Sequence, residues 1–446
     1  MKGKLTKQFW AVMVVFSLTG QIAWVVENMY FNVFIYKMFR ADADAISLMV
    51  ALSAVTAALT TIFIGAYSDK VGKRKIFICL GYILWGVSII CFSLIRADVL
   101  SGIFPHAVSV ASAGVSAVIV MDCVMTFFGS SANDACFNAW LTDSADAGTR
   151  GKVEGVNSMM PLMAILVVFG GFMGFDLDKP GSWTAIFLII GILVIAIGIL
   201  GFFFMEDSHV DTGENKNFLA NMTYGFRPDT VKAHPDLYKT LLAFIIFGIS
   251  IQIFMPYLIL YYTVTLGLSN YVLIMAPAIL LAAAATVFYG RLYDAAGFFR
   301  SVVPTILMLI LGYLMLAFFT NTVLVFMGSL FMMTGYLTGM ACFGAAIRDR
   351  TPENRTGMIQ GVRIVSQVLV PGIIGPAIGA FVLRNADQII NDDGTKSFVP
   401  NANIYYAALI AAAVLLGLLV LFAYLKKKEV SNASGSHDES GTDRIQ

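Results

Sequence analysis

Charge is what this sequence has least of. Lys, Arg, Asp and Glu make up 13% of its 446 residues, about half the roughly 25% of a soluble domain. Hydrophobic residues make up 58%, too much apolar side chain to hide inside a water-soluble particle of this size, so lipid must solvate it. The few charges nearly cancel, leaving a net +1, and no field that would attract nucleic acid. Cysteine and histidine are also scarce. The five cysteines (Cys79, Cys91, Cys123, Cys136, Cys342) fall in apolar stretches without paired spacing, which excludes a disulfide frame or a thiolate zinc site. The four histidines (His106, His209, His234, His437) lie near span ends or in loops, so no intramembrane metal cluster is expected. With no phosphate-binding loop or serine-nucleophile motif, neither enzyme chemistry nor a resident cofactor is expected.

What the sequence does have is long apolar runs. A helix needs ~20 mostly apolar residues to cross a bilayer. Such runs lie near 10–37, 45–66, 76–95, 112–141, 153–175, 183–205, 239–262, 270–289, 302–320, 323–346, 357–383 and 403–425. The first follows Lys2, Lys4 and Lys7 as a secretory signal would, but it extends from Trp10 to Phe39 without a small-residue cleavage site and reads as a span. The expected fold is all-α and integral to the membrane, with twelve transmembrane helices in two pseudo-symmetric six-helix bundles. These bundles are 1–205 and 239–428, joined by a cytoplasmic linker at 206–238 and followed by an unstructured tail at 429–446. Of the 29 Lys and Arg residues, 22 fall on the N-terminal side of the membrane. Six fall on the other side (Lys37, Arg40, Arg96, Lys179, Arg384, Lys396), and Arg363 alone lies inside a span. This bias places both termini in the cytoplasm. A monomer in a bacterial plasma membrane is the expected form.

The two halves repeat. After span two comes Gly65-Ala-Tyr-Ser-Asp69-Lys70-Val-Gly72-Lys73-Arg74, and 225 residues later, after span eight, comes Gly290-Arg-Leu-Tyr-Asp294-Ala-Ala-Gly297-Phe-Phe-Arg300. Arg150-Gly-Lys-Val-Glu154-Gly155 before span five is echoed by Arg355 through Gln360-Gly361 before span eleven. Repeated halves with a site between them mark secondary transporters. The first loop resembles the signature loop of the major facilitator superfamily at each defining position, and its degenerate copy falls where that superfamily has one. The resemblance implies that Gly65, Asp69, Lys70, Gly72, Lys73 and Arg74, with Gly290, Asp294, Gly297 and Arg300, latch a cytoplasmic gate. Physically, Gly65 would allow close helix approach, and Asp69 would cap a neighbouring helix N-terminus.

Within the superfamily the chain looks most like the glycoside–pentoside–hexuronide symporters, the melibiose- and sucrose-permease-like branch. That likeness rests on Asn133-Asp134-Ala-Cys-Phe-Asn138-Ala-Trp140 in span four, which leads to Asp143 and Arg150. It implies that Asp134 binds sugar. The branch also has paired acidic residues on span two for a cation. Here Ser53 to Thr60 contains none, so the proton is the expected coupling ion and sodium is not.

Four charged residues stand well inside spans: Glu27, Asp122, Asp134 and Arg363. A charge at the bilayer centre costs from ~3 to more than 10 kcal/mol, so each is a candidate for function. On span four, Asp122, Thr126, Ser130, Asp134 and Asn138 recur at every fourth residue, drawing a polar stripe that must face the bundle interior or a water-filled path. Span one offers Gln21, Trp24, Asn28 and Asn32 on one face, with Glu27 at its edge. Span seven offers Gln252 and Tyr257 beside Pro256. Span eleven offers Gln360, Arg363 and Gln367. Amides and an indole suit a hydroxyl-rich ligand, although amides and small hydroxyls can equally bind helix to helix. Arg363 needs a carboxylate or an anionic ligand. The expected function is import of a sugar, glycoside or oligosaccharide by proton symport, with Asp134 as coupling group and Glu27 in reserve. The alternative is export or carriage of a drug-like molecule or carboxylate.

Overall fold

The computed structural model describes residues 5–103, 109–145, 149–207, 225–268, 270–351, 361–391 and 394–439, the side chains of 150, 151 and 426–439 excepted. Twelve helices among these residues are long and apolar enough to cross a membrane. They are Lys7–Phe39, Ala43–Val71, Arg74–Leu94, Val110–Ser144, Lys152–Phe172, Pro180–Phe204, Pro235–Thr265, Val272–Ala296, Phe298–Phe318, Thr322–Arg350, Gly361–Leu383 and Asn403–Leu425. Several exceed the apolar runs that announced them. Span four continues to Ser144 and span ten to Arg350, because a helix keeps its backbone bonds after its side chains have turned polar.

Three features depart from the sequence expectation. The end of the linker is structured: a short helix, Pro228–Ala233, leads into span seven at Pro235, where proline is tolerated because the first-turn N–H has no helical partner. The last helix runs on to Glu439 and takes up residues 429–439 of the expected unstructured tail, since extending a formed helix costs little. Finally, the chain is not wholly helical. Between spans eleven and twelve, strand β1 (Gln388–Ile390) pairs antiparallel with strand β2 (Lys396–Phe398).

The internal repeat is visible in the packing. Span one packs on spans five and six as span seven packs on eleven and twelve, and span two packs on four as eight packs on ten. Span three lies on six and span nine on twelve. The halves meet through span two against eleven and span five against eight.

Twelve antiparallel spans put both termini at one end of the bundle, called here the termini end. At the opposite, far end, the halves are joined by several polar contacts. The Tyr30 and Tyr271 hydroxyls share a hydrogen bond of 2.7 Å, Tyr257 donates to the Ala43 carbonyl at 3.1 Å, and Tyr36 donates to the Phe398 carbonyl at 2.6 Å. Arg384 lies 3.7 Å from Asp44. At the termini end, one ion pair between described residues crosses between the halves, the exposed Arg348–Glu154 pair at 3.6 Å. Among the described residues, therefore, more polar contacts join the halves at the far end than at the termini end.

Midway along, span eleven crosses span two at Gly372, where an added Cβ would lie 2.6 Å from the Ala54 Cβ. Only glycine permits this approach. Gly372→Val is expected to destabilise the far-end-closed arrangement by about 1–3 kcal/mol. Thermal melting in detergent, with distances measured across the halves, tests this; wild-type values for both would contradict a tight crossing.

Candidate functional site

Turns of π-helix interrupt four spans: Val26–Phe31 in span one, Ser130–Phe137 in span four, Tyr261–Thr265 in span seven and Val365–Leu369 in span eleven. Such turns insert a residue, rotate everything beyond them and concentrate at functional sites. Here they carry Glu27, Asn133, Asp134 and Gln367.

The rotation decides where Glu27 goes. Instead of edging the polar face of span one, it is buried between spans two and four. Its Oε1 accepts hydrogen bonds from Ser53 and Thr126, both at 2.8 Å, and those two hydroxyls lie 2.8 Å from each other. Its Oε2 has no partner among the described residues, and neither has Oδ1 of buried Asp122. Glu27 is thus buried between spans in this state, where the sequence pattern put it on the edge of span one's polar face. Sequence reasoning left Ser53 out of the site; its spacing on span two gave no sign that it would meet Glu27.

Asp134 lies half-buried one turn below Ser130, which donates to Oδ2 at 3.1 Å, while Asn133 donates to Oδ1 at 3.2 Å. Asn133 is itself fixed by Tyr82, whose hydroxyl lies 3.0 Å from Oδ1. The Trp24 indole N–H faces the Asp134 carboxylate without closing a hydrogen bond. The Trp24 ring rests against Trp85, with centroids 5.0 Å apart. Gln21 and Trp24 are half-buried, and Asn28 and Asn138 are exposed. Polar groups are costly against hydrocarbon, so the exposed ones are expected to face water.

The remaining amides are partly spent on their own helices. Asn28 donates to the Trp24 carbonyl at 2.7 Å, Asn32 to the Asn28 carbonyl at 2.9 Å and Asn138 to the Asp134 carbonyl at 3.1 Å. Asn32 is buried, and its Oδ1 has no partner among the described residues. In the C-terminal half, Gln252 and Gln367 are half-buried. Tyr257 is fully buried, and its bond to Ala43 makes it part of the far-end closure, not a ligand contact in this state. Pro256 lies in a 3₁₀ turn, Met255–Tyr257, which delivers that hydroxyl across the interface. Half-buried Arg363 forms no ion pair with the described residues; the charges acting on it are Arg348 and Glu154. Gln360 lies outside the described residues.

At the expected gate, Arg74 is the organising side chain. Buried at the start of span three, it pairs with Asp69, lies 3.1 Å from Asp143 and donates to the Ser68 hydroxyl at 2.5 Å. It thereby ties the termini ends of spans two, three and four together. Asp69 does not cap span three. Asp207 does, accepting from the backbone N–H groups of Arg74 at 2.9 Å and Lys75 at 3.1 Å. Asp207 lies far along the chain, so no local pattern announced it. Lys70 and Lys73 are exposed. Gly72 turns the chain at a φ of 71° and Gly297 at 76°, which explains both glycines of the repeat. Gly65 is not a close contact here, since an added Cβ would meet nothing nearer than the Ala135 Cβ at 3.9 Å. In the second copy Asp294 and Arg300 are exposed and join no ion pair among the described residues, while the Arg350 guanidinium lies over the Phe298 ring at 4.8 Å.

Arg74→Gln should therefore cost roughly 1–3 kcal/mol, by removing the charged bonds that join Ser68, Asp69 and Asp143. Arg74→Lys should not restore it, because an ammonium cannot reproduce the guanidinium fork. Melting temperatures in detergent check both; a stable Arg74→Lys protein would refute the bridging role.

The chain resembles several solved transporter structures. The nucleoside transporter NupG superposes with a TM-score of 0.66 at 12% identity, covering 94% of this chain and 98% of its own. The xylose transporter XylE from E. coli gives 0.66 at 13% identity, with 93% and 99% covered. A bacterial homologue of the human lysosomal transporter Spinster, inward-facing and occupied, gives 0.66 at 14% identity, with 93% and 96% covered. At these identities the likeness concerns the fold alone. No curated protein sequence matches the chain. The Major Facilitator Superfamily model matches residues 9–376. With its twelve spans, repeated halves and paired loop glycines, the chain belongs to the major facilitator superfamily of membrane transporters.

Proposed function

We propose that the protein is a secondary active importer of a sugar, glycoside or oligosaccharide, working by alternating access and coupled to protons. The observation that carries this reading is the half-buried Asp134 carboxylate, held by Ser130 and Asn133 beside the Trp24 indole. A carboxylate can accept two sugar hydroxyls in charge-assisted bonds, an indole can lie against a sugar's C–H face, and the nearby amides offer both donors and acceptors. The named substrates of two fold relatives, xylose and nucleosides, likewise carry hydroxylated sugar rings.

Asp134 is the coupling group in this reading because it borders both substrate and water. Glu27 is the reserve, lying on the same span-four stripe through Thr126. Each proton entering down a 100 mV potential supplies ~2.3 kcal/mol, or roughly fiftyfold accumulation at full coupling. In proteoliposomes, Asp134→Asn is expected to abolish uphill uptake of substrate, and Asp134→Glu to weaken affinity by displacing the charge. Glu27→Gln, run in parallel, locates the coupling: uphill transport surviving Asp134→Asn but lost in Glu27→Gln assigns it to Glu27. Uptake driven by sodium in place of protons would end the proton reading.

A second reading rests on Arg363. A half-buried guanidinium without an ion pair among the described residues suits a carboxylate or other anionic substrate. Competition between neutral sugars and carboxylates for one labelled substrate separates the two readings.

We place both termini in the cytoplasm, on the strength of the 22 Lys and Arg residues at that end, and the protein in a bacterial plasma membrane. A cysteine at position 215 in a cysteine-free variant should resist impermeant thiol reagents in intact cells. Labelling from outside would invert the topology.

A further inference from the structure

Strand β2 does more than link spans eleven and twelve. Its last residue, Phe398, is 9% exposed although it belongs to an interspan connection. The Phe398 ring meets Tyr36 of span one edge-on, with centroids 5.2 Å apart, and Tyr257 of span seven at 6.3 Å. Its carbonyl accepts the Tyr36 hydroxyl at 2.6 Å. Tyr257 in turn donates across the interface to Ala43. Phe398 is therefore wedged between an aromatic residue of each half, at the end where the halves are joined.

Among the described residues, the hairpin is anchored mainly in the C-terminal half. It is covalently continuous with spans eleven and twelve, the Thr265 hydroxyl at the end of span seven donates to the Pro400 carbonyl, and Val399 donates to the Asp387 carbonyl at 2.8 Å. All of these belong to the C-terminal half. Among the described residues, what β2 gives the N-terminal half passes through Tyr36: its hydroxyl meets the Phe398 carbonyl and lies beside Ser397, and its ring meets the Phe398 ring. A neutral hydrogen bond contributes only about 0.5–1.5 kcal/mol and an aromatic pair about as much beyond its burial. This contact is weak enough to break in each cycle and specific enough to register when the halves have closed.

We infer that β2, through Phe398, is the far-end gate of this transporter: a strap carried by the C-terminal half that locks onto Tyr36 when the far end closes and releases it when that end opens. Phe398 and Tyr36 are positioning residues, setting the balance between the two states without touching the solute. The inference rests on alternating access alone and is independent of substrate and coupling ion.

The test measures distances between spin labels at Ser101 and Asn321, both exposed far-end positions in opposite halves, in detergent without any sugar. Loss of one hydrogen bond in Tyr36→Phe should raise the ratio of far-end-open to far-end-closed molecules roughly fivefold. Phe398→Ala, which removes the wedge itself, should raise it tenfold or more. Ile389→Ser, on the exposed face of β1, should leave the distribution unchanged. Wild-type distances in both Tyr36→Phe and Phe398→Ala would overturn the inference, as would an equal shift in Ile389→Ser. If Phe398→Ala does not fold, Tyr36→Phe decides alone, since it keeps the ring. Because no transport is measured, failure here leaves the sugar and proton assignments untouched, and failure of those leaves this test intact.

Discussion

Hydrocarbon offers no hydrogen-bond partner, and that constraint organises this molecule from backbone to site. It makes every crossing segment a helix, and it dictates what each polar side chain must do. The interspan amides of span one turn back on their own carbonyls. Ser53 and Thr126 exist, in effect, to receive Glu27. Asp134 escapes the constraint by lying half-buried, where water or a hydroxylated solute can complete its bonding. Asp134 differs from the buried Glu27 in this exposure, not in lacking partners, since both of its carboxylate oxygens already accept a hydrogen bond.

How much of this was legible in the sequence depended on range. Spans are properties of local composition, and their repeat is a property of spacing, so the twelve helices and two halves could be read directly. The signature loop was legible as a motif, but its wiring was not. Asp207 replaces Asp69 as the cap of span three because the chain returns from span six to that point, and nothing in the spacing encodes the return. Glu27 and Tyr257 were misplaced for a different reason. A periodicity of 3.6 assumes a regular helix, and a π turn at Val26–Phe31 or a 3₁₀ turn at Met255–Tyr257 rotates the side chains out of that register. The stripe on span four illustrates the same limit: its spacing of four drifts from the interior at Asp122 to the open path at Asn138. The β-hairpin was missed because strands of three residues leave almost no periodic signal.

The two halves share a plan but have divided the labour. The N-terminal half holds the three intramembrane carboxylates and the bridged Arg74. The C-terminal half holds Arg363 and, where the second loop copy would place an ion-pair hub, an arginine lying over Phe298. This asymmetry matters for coupling. If proton and solute both act on the N-terminal half, the C-terminal half is free to serve as the element that moves against it, carrying the hairpin.

A transporter must also keep its two states close in energy, because a solute can shift the balance only by its differential affinity for them. The far-end contacts fit that requirement. Among the described residues they include separate neutral bonds through Tyr30, Tyr36 and Tyr257 and an exposed ion pair, Arg384–Asp44. Each can be lost in turn. The crossing at Gly372 and Ala54 behaves differently: it is a close backbone approach midway along the spans, with no polar group to rearrange. Weak bonds at the end and a tight contact in the middle are what a rocking motion needs, because rotation about the middle separates the ends most and the pivot least. A rotation about the Gly372 crossing would open one end as it closes the other.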